Sequence, residues 1–526
     1  MGLEINPDVQ AHVDRILPEV RVQMMREEFN GRIRDLVFDV VFADAQIKID
    51  FEGADIRKTT MCGEVVKGIL ANLGEEHGDI RLMEQDQEEE NDITMMAIGD
   101  VDFPEFMWPV VREILAKSQQ NFEYLTDPER GKTRCGYDYA ARGYRPARKI
   151  VLENWNRYYA FSDRAHPVEK KVPDPAAEGG IRTETVDENL MEVLERNSTI
   201  TPGGMHAITI LNITLNKLAE KKGLKKRYIY PDNSFGTWKS IMKTVTTETP
   251  GKFEQIRTEQ KDRLQLTPEK VHQFYDTHDI DGRDDTWYIT PVGNPSGTAM
   301  TGEQLTATCE AILERNPAAS IILDVVYLRT MEIDAAKRLI NGVMSNPKIM
   351  DRVIFIESLS KTHGVPGLRV GMFFSANKEL YEATQNADMT LFAGHGHQLS
   401  ALMMAFLDDP DGRYEEAFKE LHRFWGRERK GLFEFLIKSG KYKHLFEEDQ
   451  PQVEQGQLDE PLGLYLDLRM REGVTAMQIY KETGCIGVEH PMNTEDDKAK
   501  GNNKYMRFSV GKITKPTYSK TAEAEG

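Results

Sequence analysis

The chain has 526 residues, a formal net charge of −19, 40% hydrophobic and 29% charged residues, enough for two or more domains with a sizeable buried core. The acidic balance gives nucleic-acid binding no electrostatic support, and no apolar run approaches the roughly 18 residues that a membrane span requires. Four cysteines (Cys62, Cys135, Cys309, Cys485) lack CxxC spacing, which argues against a disulfide framework or a zinc site and fits a reducing, cytoplasmic compartment.

Residues 1–92 read as a helical N-terminal extension. Val13, Ile16, Leu17 and Val20, then Leu36, Val37, Val40 and Val41, recur at helical spacing, and the acidic run Glu84–Asp92 reads as a solvated linker. The opening MGLEINPDVQ lacks the basic-then-apolar pattern of a secretory signal. Residues 93–150 form an N-terminal segment expected to join a smaller domain. It holds the apolar turn Met95–Pro104, including Gly99, and two tyrosines, Tyr137 and Tyr139, ahead of a helix. Residues 160–190, rich in charge, proline and glycine, read as a surface insertion.

A large domain is expected over 151–398. Thr199–Ala207 places Gly203, Gly204 and Met205 at the opening of an apolar helix, where free backbone N–H groups and the helix dipole favour an anion. A strand at Arg227–Pro231 leads to two aromatic residues, Phe235 and Trp238. Residues 250–285 are polar and charged and are expected to run over the surface. The strand Asp285–Thr290 delivers Asn294-Pro295-Ser296-Gly297, a turn signal. The strand Ser320–Tyr327 ends on Asp324, a carboxylate that must be paired or protonated if buried. Another apolar run, Val353–Ile356, leads into SLSKTHGVPGLRVG, Ser358–Gly371. A lysine at the end of a buried strand is disfavoured in its charged form, so Lys361 is a candidate nucleophile able to form a Schiff base with a carbonyl. Ser358, Ser360 and Arg369 offer hydroxyls and a cation for a phosphate. His206 and His363 lie beside these loops. His395 and His397, two apart with no carboxylate or cysteine at ligand spacing, do not make a metal site. Residues 399–515 alternate helix-like and strand-like runs, a smaller C-terminal domain containing Arg507, and 516–526 read as a disordered tail.

The block Ser-Leu-Ser-Lys…Gly…Pro-Gly-x-Arg, with Arg369 eight residues after Lys361, resembles the signature of fold-type I pyridoxal 5'-phosphate (PLP) enzymes, the aspartate aminotransferase superfamily, class I/II. Asn294, Asp324, Tyr327, Lys361 and Arg369 stand in that family's order. The resemblance implies an α/β fold with a mostly parallel central sheet, a smaller C-terminal α/β domain and PLP as cofactor. It implies a catalytic Schiff-base lysine in Lys361 and phosphate contacts from Gly203, Gly204, Met205, Ser358, Ser360 and Arg369. Phe235 would stack on the ring, Asn294 and Tyr327 would reach its phenolic oxygen, and Asp324 its nitrogen. Gly99 and Arg507 would bind the substrate carboxylate, while Tyr137, Tyr139 and His395 are candidates for reaching a neighbouring subunit in a homodimer or an oligomer of dimers. An amino acid is the implied substrate, with transamination as the leading outcome. The lysine block is also close to that of 1-aminocyclopropane-1-carboxylate synthases, which implies γ-elimination or γ-replacement on S-adenosylmethionine as the alternative. A PLP-binding transcriptional regulator is a third class, opposed by the lack of a basic recognition helix in residues 1–90.

Overall fold

The computed structural model describes residues 6–24, 33–50, 55–77, 94–96, 101–127, 142–173, 181–235, 238, 241, 252–392, 396–448, 450, 458, 462–491 and 504–519. Among them the strands are, in chain order, β1 (Thr94–Met95), β2 (Ala165–Pro173), β3 (Ile181–Asn189), β4 (Ser198–Thr201), β5 (Lys225–Pro231), β6 (Lys252–Ile256), β7 (Arg283–Ile289), β8 (Ser320–Asp324), β9 (Val353–Ser358), β10 (Gly371–Ser375), β11 (Tyr465–Arg469), β12 (Cys485–Ile486), β13 (Val488–Pro491) and β14 (Lys504–Ser509). The chain divides into two compact units: one of residues 101–427 and 451–463, the other of residues 1–100, 428–450 and 464–526.

The larger unit is built on a seven-stranded sheet in the order β4-β10-β9-β8-β7-β5-β6. Pairings from β6 through β9 are parallel, and β10 alone runs against its neighbours. The strand sequences explain this. Val353–Ser358 is buried along its whole length, and an apolar run such as its Val353–Ile356 suits a parallel sheet covered on both faces rather than an alternating, half-wet strand. Ile322, Ile354, Ile356 and Phe373 meet the helix Gly203–Lys221 in one core through Ala207, Ile208, Leu211 and Leu215. Registers pair Asp324 with Ile356, Ser358 with Gly371, and Gly371 with Thr201. The ends of β4, β8 and β9 and the start of β10 therefore share one sheet edge. The insertion at 160–190 is a two-stranded ribbon in which β2 and β3 pair over nine residues each.

Residues 258–267 depart from the surface course expected for them. Thr258, Gln265 and Leu266 are buried, because Gln265 Nε2 donates to the Thr298 carbonyl at 3.1 Å and the Leu264 carbonyl accepts Asn233 Nδ2 at 2.6 Å. This segment braces the loop that carries Asn294.

The second unit is organised differently from the expected boundaries. Residues 101–150 and 399–427, expected with the small domain, lie in the larger unit, and the N-terminal helices lie with the C-terminal segments. The helix Ile33–Ala43 places Phe38 and Phe42 6.5 and 5.6 Å from the Tyr480 ring, and Lys481 Nζ reaches both oxygens of Asp39 at 2.7 Å. The three-stranded sheet β11-β14-β13 is antiparallel, and β1 pairs with β12. Residues 517–519, expected in a disordered tail, are instead held in place. The Thr517 and Tyr518 amides donate to Glu428 Oε2 at 3.1 and 2.9 Å, and Tyr518 is buried.

Candidate active site

The shared sheet edge of the larger unit gathers most of the residues singled out by sequence. Asp324 closes β8 and is buried; its Oδ2 accepts the hydroxyl of Tyr288 and its Oδ1 the Val326 amide at 3.4 Å. Burial pushes its carboxyl up to about 6, against the opposing pull of those two hydrogen bonds. No cation pairs with it among the described residues. Three residues on, the buried Tyr327 accepts Asn294 Nδ2 at 3.2 Å on its phenolic oxygen. Gly463, at φ +78°, brings backbone so close that a Cβ there would stand 3.1 Å from the Tyr327 ring.

Beyond β9 the chain makes one helical turn, Leu359–Thr362, capped by Ser358, whose Oγ accepts the Ser360 amide at 3.2 Å. The two seryl oxygens lie 2.9 Å apart, and Lys361 is half-buried on this turn. The chain then returns to β10 through Arg369, which is exposed and left-handed at φ 51°. The helix Gly203–Lys221 opens at the same edge. A Cβ on Gly203 (φ +81°) would stand 2.8 Å from Arg369 Nη2, and one on Gly204 would touch Ile356, Val326 and Ser358. Only glycine allows the guanidinium, the serines and the helix N-terminus to crowd together. Met205 is exposed. Phe235 is partly buried against the core, and Trp238 is wholly buried, stacked 4.5 Å from Tyr288.

These groups fit PLP. A buried carboxylate facing only neutral donors suits a protonated ring nitrogen. The Asn294–Tyr327 pair suits the phenolic oxygen. The glycine cradle with Ser358, Ser360 and Arg369 suits a phosphate, and Lys361 suits the aldehyde.

Arg507 belongs to the other unit. It is buried on β14 with its guanidinium 4.6 Å from the centre of the Tyr465 ring. It pairs in register with Asp467, whose Oδ1 lies 2.8 Å from His490 Nε2. Gly99, Tyr137, Tyr139 and His395 lie outside the described residues.

Sequence reasoning missed Tyr288 and Glu357. Tyr288 lies next to the end of β7, whose residues 285–289 are all buried, so no period-two alternation singled it out. Glu357 points to the other face of β9 from Ser358. It is fully buried, accepts the Tyr159 hydroxyl at 2.5 Å, and is pushed by burial up to about 7. Nothing in an apolar strand pattern marks such a carboxylate.

Residues 191–445 match the family model of aminotransferase class I and II. The chain is 29% identical over 147 residues to 1-aminocyclopropane-1-carboxylate synthase 4 of Arabidopsis thaliana; that alignment covers 27% of this chain and 30% of the relative. It thus spans about a third of the length of the curated relatives it matches. Among solved structures it resembles the aspartate aminotransferase of Rhizobium meliloti (TM-score 0.57, 14% identity, covering 91% of this chain and 96% of that one). It also resembles the aromatic aminotransferase of Pyrococcus horikoshii (TM-score 0.56, 17% identity, covering 82% and 93%). The fold is that of fold-type I PLP enzymes. Residues 191–445, the stretch similar to aminotransferases of class I and II, carry Asn294, Asp324, Tyr327, Lys361 and Arg369. No helix of the described residues is long and apolar enough to cross a membrane.

Proposed function

We propose that the protein is an aminotransferase acting on an amino acid and a 2-oxo acid. The observation that carries this reading is the grouping of Asp324, the Asn294–Tyr327 pair, the Lys361 turn and the Gly203–Arg369 cradle at one sheet edge. PLP, when bound, supplies an electron sink for a carbanion at the substrate α-carbon. The chain's own groups do the rest. Arg507 takes the substrate carboxylate as a two-pronged partner. Lys361 Nζ removes the α-proton and returns it to a different carbon. Asp324, held by Tyr288 and the Val326 amide, would keep the cofactor's ring nitrogen protonated. Ser358, Ser360, Arg369 and the amides of Gly203, Gly204 and Met205 would hold the phosphate and Phe235 would cover the ring, while Gly99, outside the described residues, is assigned to the substrate carboxylate by the resemblance alone. A homodimer completed by Tyr137, Tyr139 or His395 of the second copy belongs to the same reading.

A second reading is favoured by the SLSKTHGVPGLRVG block and by the curated relatives: γ-elimination or γ-replacement on S-adenosylmethionine. Incubation with PLP, borohydride reduction and peptide mapping test the first step common to both; the label is expected on Lys361, and its absence there ends both. A panel of amino acids with 2-oxo acids is expected to give amino-group exchange. Release of methylthioadenosine from S-adenosylmethionine without such exchange would favour the second reading.

A further inference from the structure

The four-residue turn that carries Lys361 is too short to hold itself. Its N-terminal end has the Ser358 cap. Its C-terminal end is held by a side chain from far along the chain: His422 Nε2 lies 2.7 Å from the Thr362 carbonyl. A carbonyl only accepts, so Nε2 carries the proton. His422 Nδ1, its other ring nitrogen, is buried with no hydrogen-bond partner among the described residues. The ring is therefore a neutral, single-purpose donor, and burial beside Lys419 pushes it well below the usual histidine range.

A second histidine is tied to the same residue. Thr362 Oγ1 lies 3.1 Å from the Ser358 carbonyl and must donate to it. It can then only accept from His363 Nδ1, 2.9 Å away. His363 is packed between Phe418 and Phe406, at 4.4 and 5.7 Å. Phe418 and His422 are four residues apart on the helix Arg413–Phe433, so they share one face. Lys419, between them, donates to the carbonyls of Arg329 (2.9 Å) and Met331. Those carbonyls close the turn that begins at Tyr327. One stretch of helix, 418–422, thus grips the turn bearing the lysine and the turn bearing the tyrosine.

We propose that His422 is a positioning residue for Lys361: its Nε2–H fixes the Thr362 carbonyl and sets the angle at which the lysine leaves its turn. The proposal rests on Lys361 being the cofactor lysine. Its test is PLP titration of the apoprotein, read by the absorption band of the lysine-bound cofactor and its pH midpoint, in wild type, His422→Leu, His422→Gln and His422→Asn. Glutamine places an N–H where Nε2 stands, whereas leucine has no donor and asparagine is one carbon short. Leucine and asparagine are expected to weaken PLP binding about tenfold and to shift the midpoint, with glutamine within twofold of wild type. If leucine does not fold, the glutamine–asparagine contrast decides. Equal binding and midpoint in all folded variants would overturn the proposal, as would glutamine being as impaired as asparagine. A fall in melting temperature alone would make His422 a packing residue. Wild type that fails to label at Lys361 would sink the functional reading instead, so the two failures are distinguishable.

Discussion

The two ends of the parallel strands in the larger unit treat buried charge in opposite ways. At the N-terminal ends, Arg227 on β5 and Asp285 on β7 are register neighbours. Both are buried and joined by two bonds of 2.7 and 2.8 Å. Asp285 also accepts Tyr275 and Asn316, each at 3.0 Å, and Lys226 pairs with Asp284 beside it. Each charge there has its counter-charge within the chain. At the C-terminal ends, the Asp324 carboxylate meets a phenol and an amide and is pushed up to about 6. A fold tolerates an uncompensated buried carboxylate where something else supplies the missing charge. The closed end is a structural device; the open end is shaped for a cationic ring.

That contrast is open to direct attack. Lys361→Ala, at the open end, is expected to abolish the near-visible band formed with PLP. It should lower turnover by at least about 10³-fold, the scale of losing a positioned acid–base group, while the melting temperature barely changes. Turnover within tenfold of wild type would remove the lysine from the mechanism. Arg227→Met, at the closed end, strands Asp285 as a lone buried charge. It is expected to cost about 3–5 kcal/mol of unfolding free energy in a denaturant titration, with PLP affinity of the folded protein unchanged. Were PLP affinity to fall in step with stability, the two ends would not be separable.

The open end was the more legible in sequence, for a physical reason. Its residues sit on short loops that follow apolar strands, so Asn294, Asp324 and Lys361 stand out as polar groups where an apolar run stops. The mostly parallel sheet was implied by the resemblance that those residues carry. Arg227 and Asp285 gave no such signal, since a charge at the start of a strand looks like a solvated one until the partner strand is known. Tyr288 and His422 were missed because each acts through another residue, across strands or from a helix 60 residues on. The N-terminal helices, set apart in the sequence by the acidic run at 84–92, pack with Tyr480 and Lys481 of the same unit, contacts that no pattern within 1–92 specifies. Gln265 shows a different case, a polar segment buried because it satisfies another loop's carbonyls.

Asp324→Asn is expected to weaken PLP binding by about 10- to 100-fold, the loss of one charge-assisted contact. Its pH signature sharpens the comparison further. With folded value about 6 against 3.8 for the free group, the apoprotein binds the extra proton in its folded state. Stability from this group is therefore fully present below about pH 4 and is lost as pH rises to about 6, a difference of about 3 kcal/mol. The contribution of Asp324 to melting of the apoprotein is the difference between wild type and Asp324→Asn, which is expected to lose that fall; the slope that remains sums Glu357 and Asp232, raised by burial with the same sign, and His363 and His422, lowered by burial with the opposite sign. An unchanged slope in the variant would mean that Asp324 is compensated after all. The smallest effect is expected from Tyr327→Phe. It deletes the hydroxyl that accepts Asn294 but leaves that asparagine able to reach the same ligand oxygen. PLP affinity should fall by no more than about tenfold, with the pH midpoint of the bound cofactor's band displaced. A loss as large as that of Asp324→Asn would make the phenol, not the carboxylate, the main anchor of the open end.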